Sequence, residues 1–176
     1  QQPLALGADV VVHSTTKYLN GHSDVVGGAV LAKDAALGEE LAWWANALGL
    51  TGAPFDSWLT LRGLRTLPAR MRIHEHNGSA VARLLAQHPA VAAVHWPGLA
   101  THAGHARARA QQHGFGGIVS FELQGGVAAV ERFVDQLQCF SLAESLGGVE
   151  SLIAHPATMT HASMDAAARA TAGIGD

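Results

Sequence analysis

The order of apolar and polar positions divides the start of the chain into two strand-like segments joined by a polar one. Apolar runs predict a strand over Asp9–His13 and a second strand within Val25–Ala32. Neither run alternates with polar residues, so we expect burial on both faces in a mostly parallel, helix-covered sheet. The polar segment between them, Ser14–Ser23, is rich in hydroxyl side chains.

Apolar residues spaced three and four apart predict helices after these strands. The first is expected over Ala35–Leu48, with Asp34 as its N-cap and Gly49 at its end. The second extends from Phe55 to about Ala86, with two glycines and Pro68 as expected interruptions. Proline lacks an amide hydrogen, so Pro68 is expected to end or kink the helix.

Shorter segments follow, and their apolarity alternates with polarity, as in an α/β sandwich with one exposed sheet face. We place a domain boundary near Glu75, which divides residues 1–75 from a smaller unit, 76–176. The predicted order is a strand at Val91–Trp96, a helix at His102–Gln112, a strand at Gly117–Leu123, a helix at Val127–Leu137 and a strand at Phe140–Leu142.

The composition narrows the class of protein. A hydrophobic content of 48% supports a sizeable core, and a net charge of −3 with 14% charged residues argues against a nucleic-acid partner. Four nearby arginines do not change this, because helical spacing spreads them around the helix; they are Arg62, Arg65, Arg70 and Arg72. No apolar run is long enough to cross a membrane. We expect a soluble, cytoplasmic protein.

Both ends of the sequence suggest a part of a longer protein. The chain starts with Gln1 instead of methionine and ends at Asp176, shortly after Gly173, without a closing helix or strand. We therefore expect an interior piece whose site is incomplete.

Lys17 carries the clearest chemical signal. It follows a predicted strand and comes directly after Ser14, Thr15 and Thr16. Hydroxyls and backbone amides at such a turn can cradle a phosphate, and a lysine beside them can act as a covalent amine. This pairing suits pyridoxal 5'-phosphate. A solvated surface lysine fits the same spacing, so the residues alone leave both interpretations open.

The segment His13–Gly28 closely resembles the cofactor-lysine segment of the Cys/Met-metabolism family of pyridoxal-phosphate enzymes. Other segments resemble that family in the same order: Leu61–Leu67, Ala143–Leu152 and Met159–Ala162. The resemblance implies an α/β protein of fold type I (aspartate-aminotransferase-like). Residues 1–75 would then be the C-terminal part of the large mixed-sheet domain that binds the cofactor, and 76–176 a smaller, truncated α/β sandwich domain. It also implies a homotetramer built from dimers.

By this resemblance, Lys17 binds pyridoxal phosphate covalently and later moves protons, while Ser14 and Thr16 hold the cofactor phosphate. Ser145 would help to seat the substrate carboxylate, and Glu144 would lie at the substrate's amino or distal end. Without the family, Glu144 and Ser145 can equally cap a turn between a strand and a loop.

The segments Leu41–Asn46 and Ala157–His161 look most like family members that perform γ-replacement in transsulfuration and methionine biosynthesis. That reaction joins O-acylhomoserine to cysteine and gives cystathionine. Cystathionine γ-lyase, methionine γ-lyase and O-acylhomoserine sulfhydrylase chemistry remain alternatives, and the acyl group stays open. The family's aspartate at the pyridine nitrogen and its arginine for the substrate carboxylate have no counterpart in this chain, so we expect the chain alone to be inert.

A metal-binding protein and an assembly module are two other classes that the residues could suggest. A metal site is not expected, because His74/His76 and His102/His105 lack the spacing of four that places two ligands on one helix face. An assembly module is the second class, since large apolar residues cluster where a subunit interface would use them. These are Trp43, Trp44, Phe55, Trp58 and Leu59.

Overall fold

The computed structural model describes residues 1–175, and their contacts group into two compact units. The first unit comprises Gln1–Met71, Gln111–His113 and Gly147–Val149. The second comprises Arg72–Ala110, Gly114–Leu146 and the residues from Glu150 onward. The assignment of residues 1–75 and 76–176 to a cofactor-binding and a smaller domain stays a prediction.

The first unit opens with a two-stranded antiparallel sheet. Strand β1 (Val10–Ser14) pairs with β2 (Gly28–Ala32), in a register from Val10 opposite Ala32 to Ser14 opposite Gly28. Both strands lie where the sequence predicts them, and they form an antiparallel pair, which a mostly parallel or mixed sheet can contain. Parallel neighbours need a long crossover, usually helical, whereas this polar connection simply turns back. The expected burial of both faces is wrong within residues 1–175, because Val12 and Val30 are exposed.

Helix α1 (Ala35–Ala47) confirms both predicted end signals. The Asp34 carboxylate accepts a hydrogen bond from the Leu37 amide at 2.9 Å, which satisfies a donor that the first turn leaves open. Gly49 has a φ of +71° after the helix, and the next amide, of Leu50, donates to the Ala45 carbonyl at 2.8 Å.

Helix α2 (Pro54–Ala86) runs through all 33 of its residues, so neither the two glycines nor Pro68 ends it. An internal proline costs about 3 kcal/mol, which the rest of this long helix tolerates. The two glycines are sites of close approach. Gly63 lies against the backbone of Asn20 in the first unit, and a Cβ on Gly78 would lie 2.9 Å from the Cα of Gly117 in the second.

The second unit is built around the antiparallel pair β3 (Val91–His95) and β4 (Ser120–Leu123). Helix α4 (Gly126–Asp135) packs on this pair, with Phe133 set edge-to-face against Phe121 at a centroid distance of 5.7 Å. Its other elements are α3 (His105–Gln111), the parallel pair β5 (Ser141–Leu142) and β6 (Leu152–Ile153), and α5 (Ala166–Thr171).

The core of the second unit is small and partly polar. Trp96 is 3% exposed, and its indole N–H donates to the Gly116 carbonyl at 3.0 Å. Glu75 accepts a 2.8 Å hydrogen bond from the Phe115 amide, which ties α2 to the segment before β4. No helix in the described range is both long and apolar enough to cross a bilayer.

Candidate active site

Strand β1 ends in a tight turn that carries Lys17. We call Thr15–Leu19 the lysine turn; two short helical segments meet in it at a kink at Lys17. The Asn20 amide donates to the Thr15 carbonyl five residues back at 3.0 Å. Lys17 has φ −92° and ψ −133°, outside the common backbone regions.

Gly27, just before β2, holds the start of the lysine turn. Its amide donates to the Thr16 hydroxyl oxygen at 3.0 Å, and its carbonyl accepts from the Thr15 amide at 2.9 Å. The Thr16 hydroxyl lies 3.4 Å from the same carbonyl, which is a long hydrogen bond. The Thr16 oxygen is thus fixed, while its proton can rotate toward an anion. A Cβ on Gly27 would come 2.7 Å from the Thr15 hydroxyl, so glycine keeps this approach open.

A buried asparagine closes the turn on its far side. Asn20 is 1% exposed, and its side-chain amide donates to the Asp24 carboxylate at 2.6 Å. The ring Nδ1–H of His22 donates to the Asn20 carbonyl at 2.8 Å. These bonds satisfy a polar group that would otherwise be costly to bury, and they fix the backbone after Lys17.

Two more segments of the first unit reach the backbone of the lysine turn. A Cβ on Gly147 would lie 2.5 Å from the Tyr18 amide nitrogen, so the 147–149 loop packs directly on the turn. Arg70 of α2 donates from Nη1 to the Tyr18 carbonyl at 2.8 Å. Burial raises the pKa of the Tyr18 phenol and lowers the pKa of the Arg70 guanidinium.

The five predicted site residues fall into two groups. Ser14, Thr16 and Lys17 lie together, at the end of β1 and in the lysine turn of the first unit. Glu144 and Ser145 lie in the second unit, after β5, and both are exposed. Ser145 has a φ of +100°, which is unusual for a residue with a side chain.

The sequence interpretation missed the residues that hold the lysine turn. Gly27 was seen as part of an apolar run, and Arg70 was seen as one of four arginines spread around a helix. Arg70 lies 52 residues from Tyr18, and no local pattern signals that contact. The signal available in the sequence is Gly27 itself, because a glycine within a strand-like run often marks a close approach of another backbone segment.

A strand that ends in a lysine turn flanked by hydroxyl side chains is compatible with a cofactor enzyme, and a sequence profile identifies the class. The profile described as Cys/Met metabolism PLP-dependent enzyme matches residues 1–176. The chain belongs to this family, as its motifs predicted, and pyridoxal phosphate is the family's cofactor.

Individual relatives carry more than one activity. The cystathionine γ-synthase of Escherichia coli (strain K12) is 57% identical over 176 residues, which are all of this chain and 46% of that protein. The cystathionine γ-lyase of Bacillus subtilis (strain 168) is 50% identical, with the same coverage of both proteins. Cystathionine β-lyases are also among the relatives. This chain thus spans just under half the length of the relatives it matches.

A solved structure matches the fold. The cystathionine γ-synthase of Xanthomonas oryzae pv. oryzae, crystallised in complex with aminoacrylate and cysteine, has a TM-score of 0.97 and 69% identity. The match covers all of this chain and 46% of that one. It confirms the α/β fold of pyridoxal-phosphate enzymes over this part of the protein, consistent with fold type I.

The lysine turn suits the cofactor chemically. Pyridoxal phosphate needs an amine for its aldehyde and hydrogen-bond donors for its phosphate. Lys17 would provide the amine, and the hydroxyls of Ser14 and Thr16 lie within three residues of it. The Gly27 amide fixes the Thr16 oxygen, and the Thr16 hydroxyl makes only a long hydrogen bond to the Gly27 carbonyl. The hydroxyl proton can therefore turn to another acceptor.

Proposed function

We propose that this chain is part of a pyridoxal-phosphate enzyme that catalyses γ-replacement, joining an O-acylhomoserine to cysteine to give cystathionine. The observation that carries the proposal is the lysine turn, in which Gly27 anchors the Thr16 hydroxyl next to Lys17. The identities to γ-synthases, 57% and 69%, exceed the 50% to the γ-lyase and favour synthesis over cleavage.

In this proposal Lys17 has two successive tasks. Its ε-amine first holds the cofactor covalently, and the bound cofactor stabilises negative charge that develops on substrate carbons. Once released, the amine takes a proton from one substrate carbon and returns it to another. A lysine suits both tasks, because its flexible stem can reach neighbouring atoms and its charge state can change.

Ser14 and Thr16 are proposed to donate hydrogen bonds to the cofactor phosphate. Charge-assisted hydrogen bonds to a phosphate are stronger than neutral ones, so two fixed hydroxyls would both bind the cofactor and orient it. Ser14 is exposed at the end of β1, where its hydroxyl is open to a ligand.

Ser145 and Glu144 are proposed to bind the substrate. The left-handed backbone of Ser145 supports a functional role, because such strain in a residue other than glycine persists mainly where function uses it. Ser145 would contact the substrate carboxylate, and Glu144 its amino or distal end.

Reductive labelling of the full-length protein tests the cofactor assignment. Addition of pyridoxal phosphate should produce a visible absorption band, and borohydride should abolish the band and fix the cofactor on Lys17. The Lys17→Ala variant is expected to show neither. Labelling of another lysine in the wild-type protein would reject the assignment.

A product assay tests the reaction. Full-length enzyme is incubated with O-succinylhomoserine or O-acetylhomoserine plus cysteine, and separately with cystathionine, and the products are identified by mass. Fast cystathionine formation with slow cleavage supports the proposal. Faster release of cysteine from cystathionine would instead identify a γ-lyase, and release of homocysteine would identify a β-lyase.

We also propose that the enzyme assembles as a homotetramer of dimers and uses large apolar side chains of the first unit. In α1 and at the start of α2, Trp43, Phe55 and Trp58 are 60%, 67% and 56% exposed, and Phe55 stacks on Trp58 at 5.8 Å. Interface cores are enriched in such aromatic residues. Light scattering of the full-length protein should give a tetramer, and Trp58→Ser should lower that mass if this surface joins subunits.

A further inference from the structure

Arg70 makes four hydrogen bonds to neutral oxygens, two within helix α2 and two to the lysine turn. On its own helix, Nε donates to the Thr66 hydroxyl at 3.0 Å and Nη2 to the Gly63 carbonyl at 2.8 Å. In the turn, Nη1 donates to the Tyr18 carbonyl at 2.8 Å, and Nη2 lies 3.5 Å from the Leu19 carbonyl. The guanidinium therefore bridges two backbone segments of the first unit.

Arg70 binds carbonyls that the hydrogen bonds within the turn do not use. Hydrogen bonds within the turn use the carbonyls of Thr15 and Lys17, which accept from the amides of Asn20 and Gly21. The next carbonyls along the chain point to Arg70 instead. A planar guanidinium presents several donors in a fixed fork, whereas a lysine ammonium is a single point of charge.

Gly21 keeps the space that the guanidinium fills. A Cβ on Gly21 would overlap the end of the Arg70 side chain, and Gly21 has a φ of +78°, which favours glycine. Burial lowers the pKa of the Arg70 guanidinium, but an arginine stays cationic at neutral pH. A partly buried cation held by carbonyls makes charge-assisted bonds, which are stronger than neutral ones.

We propose that Arg70 is a positioning residue: by holding the Tyr18 and Leu19 carbonyls, it fixes the backbone that carries Lys17. The inference rests on the proposed function, because the lysine it positions is the one proposed to bind pyridoxal phosphate. Arg70 acts through the turn and does not itself contact substrate.

Hydrogen exchange of the cofactor-free, full-length protein measures this restraint directly. In Arg70→Met, which keeps much of the apolar stem and loses every donor, exchange of a peptide spanning residues 15–27 should speed up about tenfold or more. Arg70→Lys should recover only part of the protection. Arg83→Met, which changes an exposed arginine of the same helix, is the control and should leave this peptide unchanged.

Labelling at limiting pyridoxal phosphate gives a second readout. The fraction of chains fixed at Lys17 by borohydride should fall in Arg70→Met and stay at the wild-type level in Arg83→Met. Unchanged exchange of residues 15–27 in Arg70→Met would overturn the inference. Equal acceleration in a peptide from β3–β4 would also overturn it, because Arg70 would then support the whole fold. If residues 15–27 exchanged as slowly in Arg70→Lys as in wild type, a single ammonium would suffice, and the proposed hold on both the Tyr18 and Leu19 carbonyls would be overturned.

The two hypotheses fail separately. If borohydride fixes the cofactor on another lysine of the wild-type protein, the proposed function fails, whatever the exchange data show. If it fixes Lys17 while Arg70→Met exchanges and labels like wild type, the proposed function stands and the role of Arg70 is refuted.

Discussion

Gly63→Ala should destabilise the protein, although glycine-to-alanine changes inside helices usually stabilise it. Alanine in a helix interior is favoured over glycine by about 1 kcal/mol. Gly63 is buried in α2, however, and a Cβ there would overlap the Asn20 carbonyl oxygen and come 2.8 Å from the Asn20 Cα. Real Cβ atoms do not approach backbone this closely, so the helix or the segment after the lysine turn must shift.

The destabilisation that we expect for Gly63→Ala depends on how firmly Asn20 is held. Its side chain is hydrogen-bonded to Asp24 and its carbonyl to His22, and it is 1% exposed, so it cannot retreat without breaking buried bonds. Overpacking of this kind costs about 1–3 kcal/mol, sometimes more. At the upper end this exceeds the gain in helix propensity by about 2 kcal/mol, which lowers the melting midpoint by roughly 4 °C for a chain of 150–250 residues and by less for a longer one.

Two other helical glycines calibrate the measurement. Gly38 in α1 has open space, since a Cβ there would lie 3.8 Å from the Ala32 Cβ, and Gly38→Ala should raise the midpoint. Gly78→Ala should fall between the two, with a Cβ contact of 2.9 Å. Melting midpoints of full-length variants at one protein and cofactor concentration are compared. If Gly63→Ala melts as high as Gly38→Ala, the contact with Asn20 does not restrict this site and the reasoning fails.

Three further predictions concern the lysine turn. Gly147→Ala should weaken pyridoxal-phosphate binding by roughly tenfold. Gly147 has a φ of +83°, and a Cβ there would lie 2.5 Å from the Tyr18 amide nitrogen, which leaves no room for a methyl group. A cofactor titration with unchanged affinity would contradict this. Thr16→Ala should weaken the same binding about tenfold by leaving the Gly27 amide and the phosphate without the hydroxyl, and Thr16→Ser should restore it. Burial raises the pKa of Tyr18 above its ordinary 10.0, so the unfolded chain ionises first and stability falls as pH rises above that value. Melting scans from pH 8 to pH 11 should show a smaller fall for Tyr18→Phe than for wild type.

Local chemistry predicted the fold where one residue decides the outcome. Asp34 and Gly49 set the ends of α1, because a carboxylate near free amides and a left-handed glycine act over three or four residues. Pro68 does not end α2, and a local penalty of this kind could not show that the helix would continue past it. The antiparallel pairing of β1 and β2 could not be predicted, since apolar content says little about strand direction.

The candidate site, too, could be predicted from the sequence only where its residues are neighbours in the chain. Ser14, Thr16 and Lys17 could be grouped from the sequence because they are neighbours in it. The restraints on that group could not, since Arg70 and Gly147 reach the turn from distant segments and act on its backbone. An arginine that binds carbonyls has no sequence signature of its own, because any exposed helical arginine looks the same.

These distant restraints share a property that bears on catalysis. Lys17 lies at a kink in the turn, with φ −92° and ψ −133°, and contacts on both sides of it fix the neighbouring backbone. Gly27 holds the start of the turn through Thr15 and Thr16, and Arg70 and Gly147 hold the backbone that follows Lys17. None of these contacts uses the lysine ε-amine. The turn can therefore keep its shape while the amine exchanges partners, which is what a residue proposed first to bind a cofactor and then to move protons requires.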